Sequence, residues 1–243
     1  MKLMKKKCNE SGIAMHMDGA RLFEALGGEL CERDNEKEKD TILDCFDSIY
    51  ISFYKGLGGM TGAMLCGSES FIQESRIWLR RYGGNLYNNL PYALSGLMVF
   101  NKYKDTFHER YITLKRYAQI ILATATNIAT IAEKGQGQGQ NLVHFYPLNI
   151  SCCMTHIHLN CPPDKLQDVI LISEKETNIK LIPRIRGKSY LPGKENWSYF
   201  EWNVGVANMN VALNEVIRSG WEVLLQMIHD QGVPTPSPAC ASA

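Results

Sequence analysis

Two short segments constrain this chain more than any others. Each is an apolar stretch that runs into a charged residue and then a glycine-bearing turn. They are Met15-His16-Met17-Asp18-Gly19-Ala20-Arg21-Leu22-Phe23 and Ser52-Phe53-Tyr54-Lys55-Gly56-Leu57-Gly58-Gly59. Read as strands, they bring a carboxylate, a guanidinium and an amine to the same end of two strands. In an open α/β sheet, ligands sit in the crevice outside the carboxyl ends of the strands. An acid, a guanidinium and an amine gathered there suit pyridoxal phosphate. Lys55 would form the Schiff base, Asp18 would pair with the pyridinium nitrogen, and Arg21 would take an anionic oxygen.

The rest of the chain can supply a core for such a site. Of its 243 residues, 45% are hydrophobic and 21% charged, enough for one full domain or somewhat more. With 26 basic and 25 acidic residues, it offers no electrostatic case for nucleic acid or an anionic membrane. The Lys5-Lys6-Lys7 run reads as a solvated helix face. No apolar run is long enough to span a membrane, and the N-terminus lacks the apolar core of a signal peptide. Eight cysteines, none in a CxxC pair, read as reduced thiols of a cytoplasmic protein.

In chain order, residues 2–11 look like a short basic helix with Gly12 at its end. A buried strand follows from Ile13 to Met17, then a helix from Arg21 that stops at Gly27-Gly28. Residues 31–40 are a charge run, read as a solvated loop or short helix. Ser48–Phe53 is a second strand and Thr61–Cys66 a third, so the chain returns on itself and leaves Lys55 at the bend. Ser68 is a plausible cap for a helix over 69–81, and another helix runs from about Pro91 to Asn101. From Asp105 to Glu133, Phe107, Tyr111, Leu114, Ala118, Ile121, Ala125, Ile128 and Ala132 recur at helical spacing. That pattern predicts a helix roughly 40 Å long.

Residues 135–140, GQGQGQ, read as a flexible linker. Beyond it come strands over 154–159, 180–183 and 199–206 and helices over 163–174 and 210–229. That is a small α+β unit. The division expected is therefore residues 1–133, a linker at 134–141, a small domain over 142–231, and a disordered tail over 232–243.

Each candidate has a plainer alternative. Asp18 and Arg21 lie three apart and can simply pair with one another across the strand-to-helix turn. Lys55 can simply reach solvent, since lysine is rarely buried unless paired. The stretch Cys152 to Cys161 is rich in metal-ligand types, and His156 and His158 share a strand face. It lacks the second ligand-bearing element that zinc sites recruit, so it reads as a half-exposed strand and no metal is expected. Trp78, Tyr82, Tyr87 and Tyr92 gather around Gly83-Gly84 and suit core or subunit packing, or the entrance of a site.

His16-Met17-Asp18-Gly19-Ala20-Arg21 with Lys55-Gly56-Leu57-Gly58 resembles the threonine aldolase and β-eliminating lyase family of fold type I pyridoxal-phosphate enzymes. The order continues through Gly62-Ala63-Met64-Leu65-Cys66-Gly67, an Arg-bearing helix and Gly83-Gly84. The resemblance covers residues 1 to about 130; beyond that it is one of layout. It implies an α/β fold class: an incomplete, aspartate aminotransferase-like (fold type I) large domain followed by a small α+β C-terminal domain.

It also implies that Lys55 carries the cofactor as the catalytic lysine, and that Asp18 keeps the pyridine nitrogen protonated. Arg21 would serve both the ring oxygen and the substrate carboxylate. Family enzymes cleave β-hydroxy-α-amino acids to glycine and an aldehyde, and their sites lie near dimer interfaces. A homo-oligomer is therefore expected of a full-length form.

Three departures bear on the substrate. Tyr54 stands where serine is common, and Asn85-Leu86-Tyr87-Asn88 follows the paired glycines. Tyr199-Phe200-Glu201-Trp202-Asn203 lacks the Arg and His of the aldolases. In the family a preceding segment holds the phosphate and stacks on the ring; nothing before Met15 matches it. The expectation is thus a truncated lyase. The alternative is a catalytically inactive remnant acting as a folded interaction module.

Overall fold

In the computed structural model, which describes residues 1–32, 42–132, 142–209 and 213–230, the first apolar segment becomes a strand only at His16. Helix α1 spans Lys2–Glu10. Gly12, at φ 65°, donates to Asn9 O, and Ile13 donates to Cys8 O at 2.8 Å. This pair of bonds is a Schellman closure, which carries the chain out of the helix through a left-handed residue. Ile13 is spent on that closure and stays exposed, so the strand expected over Ile13–Met17 begins three residues later. Lys5 differs from the expected solvated face: its Nζ donates to Asp47 Oδ2 at 2.6 Å.

The chain divides into two units, residues 1–112 with 151–153, and residues 113–150 with 154–243. The first unit is built on a three-stranded sheet. Strand β1 (His16–Gly19) pairs in parallel with β2 (Ser48–Ser52), and β2 pairs antiparallel with β3 (Ala63–Gly67). The registers are Asp18 opposite Tyr50 and Ser52 opposite Ala63. Helix α2 (Leu22–Gly27) follows β1 at once, and α3 is the single turn Glu29–Glu32.

Helix α4 (Glu69–Arg81) starts as expected at Ser68, whose Oγ accepts the Phe71 amide at 3.3 Å. Helix α5 spans Leu90–Tyr103, with Pro91 in its first turn, where a missing N–H costs nothing. The long helix α6, Phe107–Ala132, matches the predicted periodicity. Its first six residues belong to the first unit and the remainder to the second.

The second unit is a four-stranded antiparallel sheet in the order β4-β5-β7-β6. The strands are β4 (Val143–Tyr146), β5 (Met154–Leu159), β6 (Gly187–Lys188) and β7 (Ser198–Asn203). Helix α7 spans Pro163–Thr177, α8 is the single turn Val206–Met209, and α9 covers Leu213–Asp230. One face of the sheet, with Phe145, Ile157, Leu159 and Phe200, packs with Leu114 and Ile121 of α6, Leu166 of α7 and Trp221 and Leu224 of α9. Fully burying each such side chain stabilises by about 1.5–3 kcal/mol, so this face holds the unit together.

Two expectations for this unit are corrected. Residues 180–183 are not a strand: Pro183 has no N–H for a ladder, and β6 takes that edge instead. Strand β4 was not expected at all, because its four residues lie between the glutamine-glycine run and Pro147. The charge run from residue 33, the linker and the C-terminal tail lie outside the described residues.

Candidate active site

Parallel pairing of β1 with β2 puts the ends of both opening segments side by side. Asp18 lies across from Tyr50, and Gly19 across from Ile51. At their carboxyl ends Ser52 Oγ donates to Ala20 O at 2.6 Å, which ties the two exits together. Gly19 is obligatory here, because a Cβ would come within 3.1 Å of Ile49 Cγ2 and closer still to Tyr50 O. Asp18 is exposed, and its Oδ1 accepts the Ala20 amide at 3.1 Å.

Arg21 turns toward its own helix. Its Nη1 donates to Glu24 Oε1 at 3.2 Å. Glu24, one turn into α2, is only 3% exposed. A buried carboxylate needs a cation, and Arg21 supplies one.

Lys55 sits in the connection between β2 and β3, as the sequence suggested. The turn is fixed by its backbone: Gly58 N–H donates to Lys55 O at 2.9 Å, and Gly59 N–H to Phe53 O at 2.7 Å. Gly58 has φ 79°, a conformation that favours glycine. Leu57 is buried and anchors the turn from beneath. The Lys55 side chain is exposed, and among the described residues its Nζ has no hydrogen-bond or ion-pair partner. The amine is thus presented, not consumed.

Sequence reasoning missed three residues around this end of the sheet. Tyr50 shares a face with Asp18, and its hydroxyl lies 3.3 Å from that of Tyr54. That hydrogen bond, burial and the nearby Asp18 carboxylate raise the Tyr50 pKa. The alternation of β2 could have placed Tyr50 there. Glu24 and Arg110 left no such signal. Arg110 comes from the first turns of α6, and its Nη1 donates to Gly56 O at 2.6 Å.

An apolar cavity of ≈ 440 Å³ opens nearby, walled by Phe53, Met64, Tyr92, Leu97 and Phe100. Trp78 and Tyr82 stack at 5.9 Å, but both are exposed, as is Tyr87.

The histidine-bearing stretch of the second unit does a different job. His158 is fully buried, its Nδ1 2.9 Å from Ser189 Oγ and its ring stacked on Tyr199 at 5.4 Å. Burial, then the neighbouring His144, His156 and Lys194, push its pKa down to about 4. The Nδ1 of His156 lies 2.7 Å from the Tyr190 hydroxyl. No group of metal-ligating side chains suited to a metal ion occurs among the described residues.

A parallel pair flanked by an antiparallel return, followed by a four-stranded antiparallel sheet backed by helices, is part of an aminotransferase-like, fold type I architecture. Serine palmitoyltransferase from S. paucimobilis, with a bound PLP–myriocin aldimine, overlays with a TM-score of 0.59 over 94% of this chain and 51% of its own. At 10% identity, that likeness concerns the fold alone.

The beta-eliminating lyase family model matches residues 1–141, and the chain belongs to that family. A structure from Exiguobacterium sp. 255-15, described as an aromatic amino acid beta-eliminating lyase/threonine aldolase, is 31% identical with a TM-score of 0.74. The match covers 92% of this chain and 55% of that one. The low specificity L-threonine aldolase of Escherichia coli K12 is 33% identical over 88 residues, 36% of this chain and 25% of its own length. The chain thus spans about half the length of the solved structures it matches, and its alignment with the curated relative covers a quarter of that protein.

The donor set suits pyridoxal phosphate on chemical grounds. An unpartnered primary amine matches an aldehyde, an exposed carboxylate a pyridine N–H, and a guanidinium an anionic oxygen.

Proposed function

We propose that this chain carries the lysine-bearing edge of a pyridoxal-phosphate site in a lyase that cleaves β-hydroxy-α-amino acids to glycine and an aldehyde. The observation that carries the reading is Lys55 Nζ, exposed and without a partner among the described residues, on the turn that follows the strand paired with the Asp18 strand. Membership of the beta-eliminating lyase family and the names of the relatives support it.

When bound, pyridoxal phosphate supplies an electron sink for the bond broken at the substrate Cα. Each residue then has a defined task. Lys55 holds the cofactor through its amine. Asp18 would accept a hydrogen bond from the pyridinium N–H through the oxygen that Ala20 does not use. Arg21 presents its guanidinium to the ring oxygen and to the substrate carboxylate, and Glu24 limits its swing. The seven described cysteines are free thiols, in keeping with a cytoplasmic protein. Among the described residues no helix is long and apolar enough to cross a membrane.

Incubating the purified chain with pyridoxal phosphate, reducing with borohydride and mapping the adduct tests this reading. The expected product is a single modified lysine at Lys55, lost in Lys55→Ala. Modification spread over surface lysines would overturn it. Glycine release from threonine then tests the substrate class.

A second reading, a folded interaction module without catalysis, draws on the exposed Trp78, Tyr82, Tyr87, Leu97 and Met98 of the α4–α5 region. The same face suits a homo-oligomer. Sedimentation velocity across a concentration series separates a self-associating chain from a monomer.

A further inference from the structure

The first unit buries an arginine that the roles above leave idle. Arg110 is 1% exposed. Taking a guanidinium out of water is costly, and the cost is offset only by good geometry and hydrogen bonds. Here the two terminal nitrogens are bonded, while the buried Nε has no partner among the described residues. Nη1 donates to Gly56 O at 2.6 Å and Nη2 to Thr106 Oγ1 at 2.7 Å. The guanidinium lies over the Phe107 ring at 4.3 Å, a favourable cation–π placement. Burial lowers its pKa, and the neighbouring Cys153 and Glu24 act in the opposite sense.

The carbonyl it grips follows Lys55 directly. Glu24 walls the same residue: a Cβ on Gly56 would meet Glu24 Oε1 and come within 2.7 Å of Phe107 Cε1. Glu24 is also the carboxylate that holds Arg21. One buried anion therefore touches both strand exits, and one buried cation locks the peptide beside the candidate lysine. Together with the Gly58 and Gly59 amides, they fix the backbone on either side of a side chain that has no partner of its own.

We infer that Arg110 and Glu24 are positioning residues for Lys55: Arg110 clamps the Lys55–Gly56 turn through the Gly56 carbonyl, and Glu24 couples that turn to Arg21. The inference rests on the reading of Lys55 given above. A lysine held this way reacts from one backbone geometry, with little ordering left to be done when an aldehyde arrives.

The full chain is compared as wild type, Arg110→Met, Arg110→Lys, Glu24→Gln and Thr106→Val. Two readouts are taken. Amide hydrogen exchange of residues 53–60 is measured without ligand. The rate of Lys55 trapping by pyridoxal phosphate and borohydride is measured with it. In trapping, the amine condenses with the aldehyde, water leaves, and hydride reduces the C=N bond to a secondary amine.

Arg110→Met is expected to raise exchange in the 53–60 segment and to slow trapping at Lys55 at least tenfold. Arg110→Lys is expected to recover part of that loss. Thr106→Val, which keeps the Gly56 bond, stays within threefold of wild type. Glu24→Gln, which weakens the hold on Arg21 and alters the wall against Gly56, is expected to raise exchange in the same segment and to slow trapping. Recovery by Arg110→Lys, which restores the cation, is a result that lost packing alone would not produce.

Wild-type trapping at Lys55 with Arg110→Met unchanged overturns the inference. A wild type that fails to trap overturns the reading of Lys55 instead. The ligand-free exchange then still decides the clamp: raised exchange in Arg110→Met supports it and unchanged exchange overturns it. If Arg110→Met does not fold, Arg110→Lys and Glu24→Gln carry the same two outcomes.

Discussion

Gly56 is the tightest residue of the candidate site, and its neighbours make a sharp expectation. Gly56→Ala would push a methyl group into Glu24 and the Phe107 ring. Overpacking of this kind costs about 1–3 kcal/mol, so the urea midpoint should fall while the unfolding slope stays the same. Gly58→Ala meets nothing in space but places a side chain at φ 79°. It should cost about 1 kcal/mol through backbone strain alone. The placement of Asp18 and Lys55 at neighbouring strand exits was legible in the sequence because each stands next to a glycine at the end of an apolar run. Glu24 and Arg110 were not. Glu24 looks like any surface helix acid, and Arg110 acts on a residue 54 positions away. The pairing of Arg21 with Glu24 lies only three residues along the chain; what hid it is that nothing in the sequence marks Glu24 as buried.

Among the elements, the outer face of the β4-β5-β7 sheet sets a pH dependence. His158 is held at about 4 in the folded state, against about 6.5 when unfolded. Its stabilising effect is complete above pH 6.5 and is lost as pH falls toward 4, because the unfolded chain then binds the extra proton. Burial lowers His144 as well, and it acts in the same direction. Denaturation of the second unit, followed by the fluorescence of Trp202 and Trp221, should lose on the order of 2–3 kcal/mol across that window. His158→Phe should flatten the curve.

The helices were the easier elements to foresee. The period of α6 runs for 26 residues, and Ser68 marks the start of α4 with a cap whose removal in Ser68→Ala should cost about 1 kcal/mol. Short strands were harder. The four residues of β4 and the two of β6 are too few to show alternation, and only their partners β5 and β7 define them. Apolar content misled at residues 180–183: Ile182 is buried as a strand residue would be, yet Pro183 leaves the backbone without a ladder.

At the scale of the whole molecule, the apolar side chains divide unevenly. The second unit keeps its large hydrophobics inside one continuous core. The first leaves Trp78, Leu79, Tyr82, Leu90, Leu97 and Met98 exposed along α4 and α5. Exposed apolar surface on this scale favours association. A double substitution, Trp78→Lys with Met98→Lys, should lower both the binding of a hydrophobic dye and the sedimentation coefficient at high protein concentration. Neither should change if that face is already covered.

The return of β3 onto β2 has a consequence for the order in which the molecule assembles. The turn that bears Lys55 is closed by strands only ten residues apart, whereas Asp18 reaches its neighbour through a parallel pairing 32 residues distant. Hairpins close within microseconds, and pairings between distant segments come later. Lys55 is therefore set on its bend before Asp18 arrives beside it. Weakening the hairpin at Ile51 should slow folding, whereas weakening β1 at Met17 should chiefly hasten unfolding.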